Sequence, residues 1–232
     1  MIWQQHWRDV LFLHFPISAD QLSARIPRRL EVDLFEGQAW LTYVFFRLKL
    51  RPAGLPFLAG LSSLIELNVR TYVRHQGASG IYFLRMYADN RLAILASRML
   101  TPLCYERATM IDRREHCGSG HIECRPATVP SSVLSADVEI TAPPTQPRSD
   151  SLDAWLVERY RLFVESRSGS LLAADVEHPP WLISRAHLAA VQDSLSPSLG
   201  LSLPEAPTLA HYSPGVTARF NAFRRIKPQY RS

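Results

Sequence analysis

The sequence predicts a β-dominated α+β fold in one compact domain, and three observations point there. Between Leu64 and Val73 the residues alternate strictly, with Glu66, Asn68, Arg70 and Tyr72 on one face and Ile65, Leu67, Val69, Thr71 and Val73 on the other. Apolar runs of strand length recur along the chain between turn residues, while helical spacing is confined to a few short segments. With 232 residues, 47% of them hydrophobic, the chain is long enough to bury a full core.

The elements follow in order. Val10 to Phe15 is almost wholly apolar and reads as a central strand. Ser18 with Gln21 has capping-box spacing, so a short helix should run to about Arg25 and stop at Pro27. Leu30 to Phe35, a Glu36-Gly37 turn and Ala39 to Leu50 predict a hairpin. Pro52 to Gly60 is a loop rich in Pro, Gly and apolar residues, suited to a pocket cover or to an ordinary surface crossing. Leu64 to Val73 and Ile81 to Tyr87 flank a turn at Gln76 to Gly80. Leu92, Leu95, Ala96 and Met99 have helical spacing, which places a helix over Arg91 to Leu100 that ends near Pro102.

Further strands are expected at Tyr105 to Asp112, Gly120 to Arg125 and Val133 to Thr141. Ser151 caps a helix whose buried face should be Leu152, Trp155 and Leu156. A second hairpin turns at Gly169 between Tyr160–Glu165 and Leu171–Val176, and His178-Pro179-Pro180-Trp181 breaks it. Ala186 to Asp193 is expected as a helix, and Val216 to Phe220 as a closing strand. The domain should span 1–218, followed by a basic, flexible tail over 219–232.

The formal charge of +5 is carried by that tail, since Arg219, Arg224, Arg225, Lys227 and Arg231 supply five positive charges and no acidic residue follows Glu205. No helix-turn-helix, zinc-finger or RNA-recognition signature accompanies it, which argues against nucleic acid as a partner. No signal peptide is evident, and Cys104, Cys117 and Cys124 make an odd set, so a reduced, cytoplasmic protein is expected. No apolar run approaches the ~18 residues of a membrane span. His116, Cys117, His121 and Cys124 lack the paired spacing of a zinc site, so no metal is expected, and no cofactor fingerprint is present.

Three segments carry a resemblance. The first is Arg8-Asp9 before the apolar strand, with Leu22 and Ile26-Pro27-Arg28-Arg29-Leu30-Glu31-Val32. The second is Glu66 to Val73, and the third is Ser97-Arg98 leading to Pro102-Leu103-Cys104-Tyr105-Glu106-Arg107-Ala108-Thr109-Met110. With Glu158-Arg159-Tyr160 and His178 to Trp181 added, the chain resembles the uncharacterised YqjF-like family, which is similar to acetoacetate decarboxylase. The resemblance implies a closed or double β-barrel around a polar pocket. It matches Arg8 to the arginine that meets the substrate carboxylate, and Glu66 to the pocket glutamate. Counting from Arg98 puts Tyr105 where the decarboxylases carry their Schiff-base lysine. A phenol cannot replace a primary amine in a Schiff base, and neither Lys49 nor Lys227 falls in a matching segment, so that mechanism is not expected.

The resulting expectation is a pocket for a small carboxylate or carbonyl compound. Glu66 and Tyr105 are the candidate catalytic residues, and Arg8, Arg70, Arg98 and His178 the candidate ligand-binding residues. Any catalysis would be lysine-independent acid/base chemistry, with Glu66 as base and Tyr105 as oxyanion donor. All but Arg98 also have a structural reading: Arg8 paired with Asp9 or Glu66, Glu66 paired with Arg70, Tyr105 filling the core, and His178 at a strand end. A non-catalytic assembly module is the alternative function, and a homo-oligomer is left open.

Overall fold

The computed structural model describes residues 3–51, 63–115 and 118–226. The expected Pro52–Gly60 loop, His116, Cys117 and residues from Lys227 onward lie outside the described residues. The elements are β1 (Trp3–Ile17), α1 (Ala19–Ser23), β2 (Glu31–Val32), β3 (Ala39–Arg51), β4 (Ser63–His75), β5 (Ala78–Ala88), α2 (Arg91–Leu100), β6 (Tyr105–Asp112), β7 (Gly120–Pro126) and β8 (Leu134–Ile140). They continue with α3 (Leu152–Val157), β9 (Arg161–Glu165), β10 (Leu171–Glu177), β11 (Ser184–Asp193), α4 (Leu195–Ser198), β12 (Leu209–Phe220) and β13 (Arg224–Arg225).

The strand pairings close two fused rings. One runs β5-β9-β10-β12-β1-β3-β4 and back to β5, and the other runs β5-β6-β7-β8-β11-β12-β1-β3-β4. The strands β12, β1, β3, β4 and β5 form a shared wall, which explains why the Val10–Phe15 half of β1 is almost wholly apolar: both its faces are covered. The second ring is filled by Leu11, Leu13, Phe15, Tyr43, Phe45, Leu67 and Val69 packed on Ile122, Leu134 and Val138. The first ring has aromatic and aliphatic walls from Val10, Phe12, Phe46, Met86, Leu162 and Trp181. The polar row of β4 faces this ring, so it is a pocket wall and not a solvated face.

Several expectations are corrected. β2 pairs with β4 through Val32 and Val73, and only a Phe35–Gln38 bridge at the Glu36-Gly37 turn remains of the expected hairpin with β3. The cause is Asp33, whose carboxylate is held by Arg74 and Arg159 and whose amide donates to the Tyr72 carbonyl. Ser18 caps α1 through the Asp20 amide, but Gln21 bonds the Ser202 amide, so the capping box is not closed. α2 buries Ala93 and Ile94 and leaves Leu92, Leu95 and Met99 58, 56 and 77% exposed, the reverse of the face its spacing suggested. In α3 the buried set is Ala154, Leu156 and Val157.

Ala186 to Asp193 is strand β11, not a helix, because it pairs with β8 through the second ring. Its register shifts between Ala189 and Gln192, with Ala190 at φ 48°, and this bulge erases the two-residue alternation that would have marked a strand. The basic tail is also not free as far as residue 226. β12 runs through Arg219 and Phe220, and Arg224 and Arg225 pair with β10.

A bulge on β1 is the fold feature with the largest effect on the site. The register with β3 shifts between Arg8 and Leu11, and Asp9 sits at φ 49°. Opposite Arg8 lies Gly215 at φ 118°, where an added Cβ would fall 1.9 Å from the Trp7 carbonyl oxygen. Gly215→Ala should therefore destabilise the protein by about 1–3 kcal/mol through overpacking. Thermal melts check this, and an unchanged Tm would show that the crossing relaxes freely.

Candidate functional site

The first ring encloses a cavity of about 580 Å³. Glu66, Asn68 and Arg70 of β4 supply its polar row, 2, 6 and 8% exposed. Trp7, Phe12, Phe46, Phe83 and Trp181 supply much of its apolar wall, and Phe220 to Phe223 complete it after β12. Alternate residues on a strand advance by ~6.6 Å, so the row carries Arg70 to Glu66 over about 13 Å.

At one end, Tyr105 donates its hydroxyl to Glu66 Oε2 at 3.1 Å. Burial pushes the Glu66 carboxyl up to about 8, against hydrogen bonds from Tyr105 and Asn68 that lower it. The acid is therefore mostly neutral at pH 7. Burial, together with the charge of Glu66, raises the Tyr105 phenol well above its ordinary value.

Arg70 stands at the other end. Its Nη2 donates to the Leu156 carbonyl at 3.3 Å, and its guanidinium lies 5.5 Å from the centre of the Phe12 ring. Its Nε is buried with no hydrogen-bond partner, and burial lowers its pKa. Arg159 and Arg161 also line the cavity, but each has a carboxylate: Asp33 at 2.9 Å and Asp175 at 2.7 Å. Among the described residues, no carboxylate pairs with Arg70. Behind the row, Tyr72 bonds Thr42 at 2.7 Å, Thr42 bonds His14 at 2.9 Å and His14 bonds His211 at 3.0 Å, which ties β4, β3, β1 and β12 together.

The structure thus brings Glu66, Tyr105, Arg70 and His178 to one cavity. His178 stacks on Tyr160 with ring centres 4.5 Å apart and packs beside Trp181. Arg8 and Arg98 are not brought there. Arg8 is exposed, because the bulge at Asp9 lets Trp7 and Val10 both face the cavity and turns Arg8 away. Its expected partner Asp9 accepts from Arg47 at 3.1 Å. Arg98 is exposed and donates to the Tyr105 carbonyl at 3.1 Å, so it fixes the start of β6 from outside. Glu66 and Arg70 do not pair with each other. His121 binds Asp137 at 2.7 Å, and Cys124 is buried in the core of the second ring.

Sequence reasoning missed Trp7, Phe46, Arg159, Arg161 and the Phe220–Phe223 stretch. Phe220 and Phe223 carried a signal, since paired aromatics are unusual in a solvated tail. Arg161 and Asp175 carried another, as opposite charges on facing strands of the expected second hairpin.

Comparison with known proteins is consistent with this architecture. The DUF2071 family model, which describes an uncharacterized conserved protein, matches residues 4–217. The uncharacterized protein YqjF of Bacillus subtilis (strain 168) is 38% identical over 213 residues, covering 91% of this chain and 87% of that protein. Among solved structures, the enduracididine biosynthesis enzyme MppR, complexed with the condensation product of pyruvate and imidazole 4-carboxaldehyde, superposes with a TM-score of 0.68 at 13% identity. That match covers 97% of this chain and 89% of MppR. An acetoacetate decarboxylase-like enzyme from Sphingomonas wittichii RW1 gives a TM-score of 0.65 at 12% identity, covering 98 and 94%. The acetoacetate decarboxylase of Legionella pneumophila gives 0.60 at 12% identity, covering 96 and 87%. At such identities the likeness shows the fold, which is acetoacetate decarboxylase-like.

Proposed function

Because the chain belongs to the DUF2071 family of uncharacterized conserved proteins and has an acetoacetate decarboxylase-like fold, we propose that its cavity binds a small-molecule carboxylate. The observation that carries this reading is Arg70, a buried guanidinium in the cavity wall with no carboxylate of its own among the described residues. A buried cation without a counterion is costly, and a bound anion removes that cost through charge-assisted hydrogen bonds. Among the structural neighbours, MppR is complexed with pyruvate, which is in keeping with such a ligand.

Glu66 and Tyr105 would act on the ligand's other polar group. With Oε2 accepting from Tyr105, the acid proton of Glu66 sits on Oε1. Glu66 is then an acid at neutral pH, able to protonate a carbonyl or enolate oxygen, and becomes the base once that proton has gone. Schiff-base chemistry forms no part of the reading. Tyr105 occupies the position matched to the lysine, and Lys49 does not line the cavity. One observation favours the second reading, an assembly module: the outward Leu92 and Leu95 of α2.

The test is a thermal-shift panel of keto acids, hydroxy acids and their neutral amides on wild type and Arg70→Gln. A ligand at a hundred times its Kd adds ~2.7 kcal/mol, which is about 5–10 °C for a protein of this size. Shifts are expected with acids, not amides, and only in wild type. Borohydride treatment with a keto acid should leave the protein mass unchanged. Equal shifts in Arg70→Gln would overturn the assignment of Arg70. A trapped adduct would restore an amine mechanism, and silence across the panel would favour the assembly reading.

A further inference from the structure

The cavity is much larger than a three-carbon acid needs. Its 580 Å³ would hold roughly 19 waters at ~30 Å³ each, a volume in the range that takes drug-sized ligands. It also has an apolar annex of about 90 Å³ beneath α2, walled by Leu48, Leu64, Ala88, Ala93 and Ile94. The two spaces share Gln5, Leu100, Thr101, Leu103 and Tyr105 as lining residues, so the annex adjoins the cavity at Tyr105, the partner of Glu66. Leu64 continues the row of Arg70, Asn68 and Glu66 on the same face of β4. That strand therefore runs from a cation with no carboxylate among the described residues, past the Glu66–Tyr105 hydrogen bond, to an apolar pocket, over about 20 Å.

We propose that the ligand is an amphipathic carboxylate with a long alkyl or aryl-alkyl tail, its carboxylate on Arg70 and its tail passing Tyr105 into the annex under α2. This deepens the carboxylate reading and rests on it. The ~13 Å from Arg70 to Glu66 corresponds to on the order of ten bonds of an extended chain, at three bonds per ~3.5 Å. A shorter acid reaches Arg70 but leaves the aromatic wall and the annex unfilled. The Glu66–Tyr105 pair then lies beside the middle of the tail, where a carbonyl or hydroxyl oxygen of the ligand would meet it.

Calorimetric titration with straight-chain carboxylates of three to eighteen carbons tests this, since about 17 bonds are needed to span the ~20 Å from Arg70 to the annex. In wild type, affinity should rise about fourfold per added methylene, the equivalent of ~0.8 kcal/mol for each CH₂ buried. Ala93→Leu and Ala88→Val fill the annex from the helix side and the strand side. Each should cost the longest acids tenfold or more and leave three- to five-carbon acids unchanged. Agreement between the two variants separates a filled annex from a damaged helix. Affinity that does not rise with chain length would overturn the long-tail inference while leaving a short-acid pocket in place. Long acids that bind both variants like wild type would remove the annex from the site. Binding of no acid at any length would remove the carboxylate reading as well.

Discussion

Glu66→Gln should make the protein's stability far less sensitive to pH between about 4.5 and 8 than it is in wild type. The carboxyl titrates at an ordinary 4.5 when unfolded and at about 8 when buried beside Tyr105. Between those values the folded protein holds a proton that the unfolded chain has released, so stability falls as pH rises. The contribution is fully present below about pH 4.5 and is lost by the time the pH passes 8. A displacement of that size corresponds to about 4–5 kcal/mol at full effect, or roughly 10–15 °C in Tm. Glutamine keeps an oxygen for the Tyr105 hydroxyl but cannot ionise. Melting curves of wild type and Glu66→Gln should therefore lie together near pH 5 and separate by that amount near pH 9, with wild type the lower. Parallel curves would mean that Glu66 ionises as an ordinary carboxylate and cannot serve as an acid at neutral pH.

Glu66 also marks how far the amino-acid sequence reaches toward the site. The alternation around it fixes which residues share a face, because the covered sheet imposes a period of two. Whether that face meets water or a cavity depends on ring closure between strands far apart in the chain, and no local pattern reports it. Arg8 fails as a pocket residue for a physical reason: counting back by twos from Val10 and Phe12 puts it on the cavity face, and one bulge residue reverses the count. In α2, Leu92, Leu95 and Met99 have the spacing of a buried stripe, yet Ala93 and Ile94 are the residues that fit against Leu48, Leu64 and Ala88. Tyr105 is reached only through the family resemblance. Arg70 is on the expected face, but that no carboxylate among the described residues pairs with it follows only from the three-dimensional placement of Asp33 and Asp175 on the neighbouring arginines.

Those partners lead to the second large effect, at Asp33. This carboxylate is 2% exposed and accepts from Arg74 Nε at 2.7 Å and Arg159 Nη1 at 2.9 Å. Arg159 is itself buried, 4.1 Å over the Trp155 ring, with its Nε on the Trp155 carbonyl. Asp33→Ala leaves that guanidinium without its counterion, and breaking a buried pair from one side costs about 3–5 kcal/mol. The Tm should fall by roughly 10 °C or more. Arg148→Ala is the control, because Arg148 and Asp150 are 84 and 77% exposed and an exposed pair contributes about 1 kcal/mol at most. Two equally small losses would show that Arg159 finds water when Asp33 is gone. The substitution also bears on recognition. Among the described residues three arginines line the cavity, and Asp33 and Asp175 each hold one of them, which leaves Arg70 to select one carboxylate in one orientation. Asp33→Ala frees Arg159 as a second cation, so the less stable variant should bind simple acids at least as tightly as wild type and discriminate less between mono- and dicarboxylates.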